Sequence, residues 1–142
     1  MTPFKRELTI ASALSSLPVI ADFVEATCEQ AQVDPAARFD LHLAVEEAAA
    51  NVIEHAYKGK GGECTLRIET VGRDVVITLH DRGRRFNPAA VARPNVNAAL
   101  RDRPIGGLGL HLMYQLMDDV RFTFDAGGNT LVMVKRDVVS NA

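Results

Sequence analysis

With 142 residues, 47% of them hydrophobic and 24% charged, the chain has the size and composition of one globular domain spanning 1–142. Its formal net charge of -2 lacks the basic excess of a nucleic-acid binder, so DNA and RNA are discounted as direct partners. No apolar run approaches the roughly 18 residues of a membrane span and MTPFKRELTI lacks a signal-peptide pattern, so a cytoplasmic protein is expected.

In chain order, KRELTIAS alternates as a first strand, and SSLPVIADFVEATCEQAQV follows as a helix with Ser15 or Ser16 as its N-cap. Asp34 and Pro35 then open a second helix that runs to about Tyr57 and is ended by the glycines of KGKGG. ECTLRIETV and DVVITLHD, joined at Gly72 and Arg73, read as an antiparallel hairpin. An irregular stretch rich in Pro, Arg and Asn follows, until GGLG opens a short helix with Leu108, Leu112 and Leu116 on one side. VRFTFDAGGNTLVMVKR is a second hairpin, bent at AGGN. This order predicts an α+β fold, a two-layer α/β sandwich with a mostly antiparallel sheet and the helices on one face. Cys28 and Cys64 form no CxxC and have no histidine at ligand spacing, which reads as two buried thiols, and His42, His80 and His111 show no metal-ligand spacing either.

On the second helix Leu41, Val45, Ala48, Val52 and Ala56 form an apolar ridge that can face a sheet. Glu47, Asn51 and His55 repeat every four residues as a polar stripe at the edge of that ridge, while Glu46 points about 100° away from Glu47. Such a stripe is either an ordinary solvated face or a site. A carboxylate one turn from an amide oxygen can hold a proton acceptor and a Mg²⁺ ligand in fixed relation, because Mg²⁺ takes hard oxygen ligands and few of them from protein. His55 reads as a packing or hydrogen-bonding residue.

Asp81 ends a strand and begins DRGRRFNP, where Gly83 permits a sharp turn and Phe86 can return to the core. A carboxylate there makes either a plain turn or an acceptor for an exocyclic amine. Gly106, Gly107 and Gly109 stand at the mouth of a helix, where backbone N–H groups can face an anion. The pattern is neither a P-loop nor a dinucleotide fingerprint, since GxxxxGK[ST] is absent and no strand directly precedes the glycines.

Taken together, Glu47-xxx-Asn51, Asp81-x-Gly83-xx-Phe86 and Gly106-Gly107-x-Gly109 resemble the N, G1 and G2 boxes of the Bergerat-fold (GHKL) ATP-binding superfamily. The likeness extends over nearly the whole chain. NVIEHAYKG, DRGRRFNP and GGLGLHLMYQLMDDV are especially similar to the small RsbW-like group, anti-sigma factors that are also serine kinases of their antagonists.

The resemblance implies that Glu47 is the general base toward a serine hydroxyl and that Asn51 coordinates Mg²⁺ bridging the ATP phosphates. It implies that Asp81 binds the adenine amino group, assisted by Thr130, and that Gly83 and Phe86 shape the pocket. Residues from about 87 to 105 would be the ATP lid, with Arg101 or Arg103 reaching the terminal phosphate, and Gly106, Gly107, Leu108, Gly109 and Leu110 would line the phosphate side. Arg85 departs from the pattern, standing where many members carry a second glycine. The implied partners are a STAS-type anti-sigma factor antagonist and a sigma factor, with a homodimer as the implied assembly. Two functions follow: a Mg·ATP-dependent serine kinase acting by partner switching, or a nucleotide-dependent protein-binding switch without phosphotransfer. A base at Glu47 favours the first.

Overall fold

A computed structural model describes residues 4–58, 61–86 and 113–140. Strand β1 (Lys5–Ala11) leads through a single 3₁₀ turn into helix α1 (Leu17–Gln30), and helix α2 (Pro35–Asn51) follows. Four strands complete the order: β2 (Glu63–Val71), β3 (Asp74–Asp81), β4 (Asp119–Asp125) and β5 (Gly128–Lys135). They form one five-stranded sheet in the order β1-β2-β3-β5-β4, antiparallel at every junction. The α+β sandwich expected from the sequence is the one observed.

Alternation along the strands decides which residues meet the helices. In β2 and β3, Cys64, Leu66, Ile68, Val75, Ile77 and Leu79 are buried, while the residues between them face the other side. Together with Leu131 and Met133 of β5, they form one core with Ile20 and Val24 of α1 and with Leu41, Ala44, Val45 and Ala48 of α2. Every residue of the predicted ridge from Leu41 to Ala56 is buried. The alanines let α2 lie close to the sheet, and the fully buried Leu41 and Ile77 each contribute about 2 kcal/mol of apolar transfer. On the opposite sheet face, the register places Thr9, Thr65, His80, Thr130 and Thr123 side by side across all five strands.

The structure corrects three local expectations. Ser16 and Asp34 occupy the N-cap positions of α1 and α2, but neither makes a side-chain cap bond. The leading 3₁₀ turn already holds Ser16 in a helical conformation, unlike the extended backbone of a capping residue. The second helix does not run uniformly to Tyr57: after Asn51 it widens into a π turn over Val52–Ala56. The hairpin bend is confined to Ala126 and Gly127, since Asp125 already pairs with Gly128 and Phe124 with Asn129.

Beyond β5 the chain folds back, with Val138 and Val139 buried, the backbone N–H groups of both bonded to the Arg73 carbonyl, and Val33 bridged to Val139. Both cysteines are free and buried, and burial pushes each thiol up to about 11. Among the described residues no helix is long and apolar enough to cross a membrane.

Candidate functional site

At the end where α2 turns into the π helix, β3 and β5 bring three polar side chains into the apolar layer. Asn51, Asp81 and Asn129 are 2%, 2% and 1% exposed. All three line one small cavity with Ala48, Val52, Leu79, Phe86, Met113, Phe122 and Leu131. Its free volume of about 10 Å³ is the room of roughly one water.

Asn51 is the anomaly. Among the described residues neither Nδ2 nor Oδ1 finds a hydrogen-bond partner, although the side chain is buried. The sequence periodicity put it at the edge of the ridge. Instead Ala44, Ala48, Ala49 and Ala50 are all buried, so the covered face of α2 is broad enough to include Asn51. A buried amide without partners costs about 1–3 kcal/mol, and π turns recur at functional sites.

Asp81 is bound on one side. Its Oδ1 accepts from the Gly83 backbone N–H at 2.8 Å and from Asn129 Nδ2 at 2.9 Å. Burial raises its pKa, and the Asn129 bond, the Gly83 bond and the nearby His80 pull it back. Asn129 also donates to the Arg84 carbonyl at 2.9 Å and accepts from the Phe86 N–H through Oδ1 at 3.4 Å. It therefore ties the strand end to the following loop.

That loop rests on the end of the helix. A Cβ on Gly83 would fall 2.6 Å from the Ala56 carbonyl oxygen, so only glycine passes there without displacement. Arg84 donates its backbone N–H to Ala56 O at 2.9 Å and its Nε to His55 O at 2.8 Å. The His55 ring packs on Phe86 at 5.9 Å between centroids, and Phe86 packs on Phe122 at 5.3 Å. The Arg85 guanidinium lies 5.6 Å over the Phe124 ring, a cation–π contact made by the residue that departs from the glycine pattern.

Glu47 stands one helical turn before Asn51, half-buried and outside the cavity lining. Burial is the main cause that raises its pKa, and the like charge of the exposed Glu46 adds to it.

Asn51, Asp81 and Phe86 thus meet at one cavity, with Gly83 shaping its loop and Glu47 close by along the helix. Thr130 does not join them. On β5 it points to the opposite sheet face, where its hydroxyl lies 3.0 Å from His80 Nδ1. The partner of Asp81 is Asn129, one residue earlier. Strand parity carried the signal: Leu131 and Met133 are core residues, so 129, not 130, shares their face. Arg101, Arg103, Gly106, Gly107, Leu108, Gly109 and Leu110, with the lid at 87–105, lie outside the described residues.

Comparison with known proteins agrees with this architecture. Residues 10–135 match the family model of the histidine kinase-like ATPase domain. A serine-protein kinase RsbW of Bacillus mycoides (strain KBAB4) is 32% identical over 108 residues, which are 72% of this chain and 68% of the relative. Serine-protein kinase RsbW of Bacillus cereus (strain B4264) gives the same identity and coverage, and that of Bacillus anthracis is 30% identical over 108 residues with equal coverage. The crystal structure of the RsbU and RsbW domains of a Mycobacterium tuberculosis protein superposes with a TM-score of 0.68 at 18% identity, covering 100% of this chain. The chain spans 34% of that solved chain, and at such identity the likeness concerns the fold alone. The chain belongs to the histidine kinase-like ATPase domain family and, within it, to the family of the RsbW serine-protein kinases.

Proposed function

We propose that this protein binds Mg·ATP and phosphorylates a serine of a STAS-type anti-sigma factor antagonist, controlling a sigma factor by exchange of partners. The observation that carries the reading is the pair of unpartnered buried atoms on Asn51, in the same cavity as the bonded carboxylate of Asp81.

The residues present fit the group. Asn51 Oδ1 is a neutral, hard oxygen with no partner among the described residues, suited to a Mg²⁺ that completes its shell with phosphates and water. Among the described residues no cluster of three His, Cys, Asp or Glu could cage a metal by itself. Asp81 accepts the adenine amino hydrogen through the carboxylate oxygen not used by Asn129 and Gly83. Val52, Leu79, Phe86 and Leu131 supply the apolar surface that a base would face. When bound, Mg·ATP would supply the phosphoryl group, and the metal's positive charge would offset the negative charge spread over the phosphoryl oxygens.

Glu47 takes the proton from the serine hydroxyl. Burial, with the like charge of Glu46, raises its pKa, which makes it a stronger base than an exposed carboxylate. In this reading the phosphate side and lid are supplied by 87–110, with Arg101 or Arg103 on the terminal phosphate. The 1–142 chain works as one cytoplasmic domain and pairs as a homodimer.

Calorimetric titration with ATP and GTP, with and without Mg²⁺, tests the pocket. Mg²⁺-dependent binding with ATP preferred is expected, followed by radiolabel transfer to a serine-bearing antagonist domain. Failure of the folded protein to bind either nucleotide overturns the proposal. Binding without transfer to any such partner replaces it with a nucleotide-dependent binding switch.

A further inference from the structure

We infer that Tyr57 is a positioning residue of this site: its hydroxyl ends the β2–β3 ladder at Asp81 and turns residues 82–86 onto the end of the helix that carries Asn51. The inference rests on the nucleotide reading above, and it gives a role to a residue which that reading leaves unused.

The register identifies what the phenol replaces. Strands β2 and β3 pair from Val71–Asp74 to Cys64–Asp81, so the next rung would join Glu63 to Arg82. The Gly62 carbonyl accepts from the Ser12 N–H at 2.7 Å and so points toward β1, which by alternation turns the Glu63 carbonyl toward β3. A Cβ on Gly128 of β5 would sit 2.0 Å from the Asp81 carbonyl oxygen. That carbonyl therefore faces β5, and the N–H across the same peptide bond, that of Arg82, faces β2.

Glu63 O and Arg82 N–H thus point at one another, as an acceptor and a donor of one more rung. The Tyr57 hydroxyl stands between them instead. It donates to Glu63 O at 2.7 Å and accepts from the Arg82 N–H at 3.0 Å. The ring reaches this place over Gly62, where a Cβ would fall 2.3 Å from it. Gly62 is not among the glycines with positive φ, so it is the ring, and not the backbone, that excludes a side chain there.

The result is a loop held at three points by three consecutive residues. Tyr57 takes the Arg82 N–H, Ala56 O takes the Arg84 N–H at 2.9 Å, and His55 O takes the Arg84 Nε–H at 2.8 Å. Gly83 lies between these anchors and donates to Asp81 Oδ1 at 2.8 Å. A cleft of about 430 Å³ opens where the strands part, with Tyr57, Glu63 and Arg82 in its lining. Loss of the hydroxyl leaves the two backbones room to close the missing rung, which draws Arg82 toward β2 and away from the helix.

The alternative is that Tyr57 is only a staple of the fold. Its loss would then lower the melting temperature and leave the folded protein's affinity and its Gly83 amide as they are.

The test compares the unaltered protein with Tyr57→Phe and Gly62→Ala, the second of which displaces the ring without touching the hydroxyl. For each, calorimetry gives Mg·ATP affinity, NMR gives the hydrogen-exchange rate of the Gly83 amide without nucleotide, and a melting curve sets a temperature at which the protein is folded. Both variants are expected to bind Mg·ATP about 3- to 10-fold more weakly, the size of one hydrogen bond, and to exchange the Gly83 amide faster. Should Tyr57→Phe fail to fold, Gly62→Ala carries the same comparison.

A folded variant that binds Mg·ATP as the unaltered protein does overturns the role of Tyr57 and leaves the nucleotide reading standing. Weaker binding with unchanged exchange at Gly83 also overturns it, because the effect would not pass through the loop. Failure of the unaltered protein to bind Mg·ATP overturns both.

Discussion

Replacing Asn51 by leucine should stabilise the protein without nucleotide and destroy its response to Mg·ATP. The side chains have the same heavy-atom branching, but leucine carries two methyl groups where asparagine has an amide. In the native structure Asn51 is 2% exposed and both polar atoms of its amide lack partners among the described residues. Relief of this desolvation is worth about 1–3 kcal/mol. Against it stands the bulk of the methyls, because the adjoining cavity holds only about 10 Å³; overpacking of that kind costs about 1 kcal/mol at the low end. The net is a gain of about 1 kcal/mol, or about 3 °C in melting temperature for a domain of this size.

Saturating Mg·ATP reverses the order. At one hundred times its Kd a ligand adds about 2.7 kcal/mol to the unaltered protein, near 9 °C. A variant that cannot hold the metal gains little. Thermal unfolding followed by circular dichroism, with and without Mg·ATP, should therefore show two curves that exchange places. A variant that melts below the parent without nucleotide would mean that the Asn51 amide is not an uncompensated cost. A variant still stabilised by Mg·ATP as the parent is would remove Asn51 from the site.

Other predictions use the neighbouring groups. Glu47→Gln should abolish radiolabel transfer while calorimetry still finds ATP; in the parent, transfer should rise with pH through a pKa above 4.5, and Glu46→Gln should move that limb to lower pH because Glu46 helps to raise it. Asp81→Asn should weaken ATP binding yet flatten the pH dependence of stability. The folded-state pKa of Asp81 lies above 3.8, so its favourable contribution is present below that value and is lost as pH rises through the raised pKa. Urea unfolding between pH 4 and 7 should show a smaller downward slope in the variant, and equal slopes would contradict the assignment. Gly128→Ala should cost more than Gly83→Ala: both crowd backbone oxygen, at 2.0 and 2.6 Å, but only Gly128 also has positive φ. Overpacking of about 1–3 kcal/mol applies to both, with roughly another 1 kcal/mol of backbone strain at 128. Denaturant midpoints give the order directly.

The elements that sequence reading recovered are those whose signal is periodic. Alternation in ECTLRIETV and DVVITLHD gives the central hairpin because one sheet face is buried and a one-residue slip would expose it. The ridge from Leu41 to Ala56 is legible for the same reason. Two features escaped. The π turn after Asn51 changes a backbone hydrogen-bond partner, Tyr57 N–H to Val52 O at 3.2 Å, and leaves the apolar pattern intact, so periodicity cannot detect it. Asn129 was lost because the glycines drew the whole of AGGN into the turn; counted backward from Leu131 and Met133, it belongs to the core face beside Asp81.

The motif residues are far apart in sequence, but their backbones depend on one another. A helix end leaves carbonyls without partners, and at the end of the π turn that continues α2 these include His55 O and Ala56 O. Both are taken by Arg84, from the loop that begins at Asp81. Asn129 in turn takes the Arg84 carbonyl and gives its other donor to Asp81. The π turn widens the helix where this loop must dock, and Gly83 makes the close approach to Ala56 feasible. Asn51 and Asp81 are therefore held in fixed relation through the contacts of Arg84 and Asn129. This is why the Asn51 amide can remain unpartnered among the described residues: the fold is secured around it without using its polar atoms.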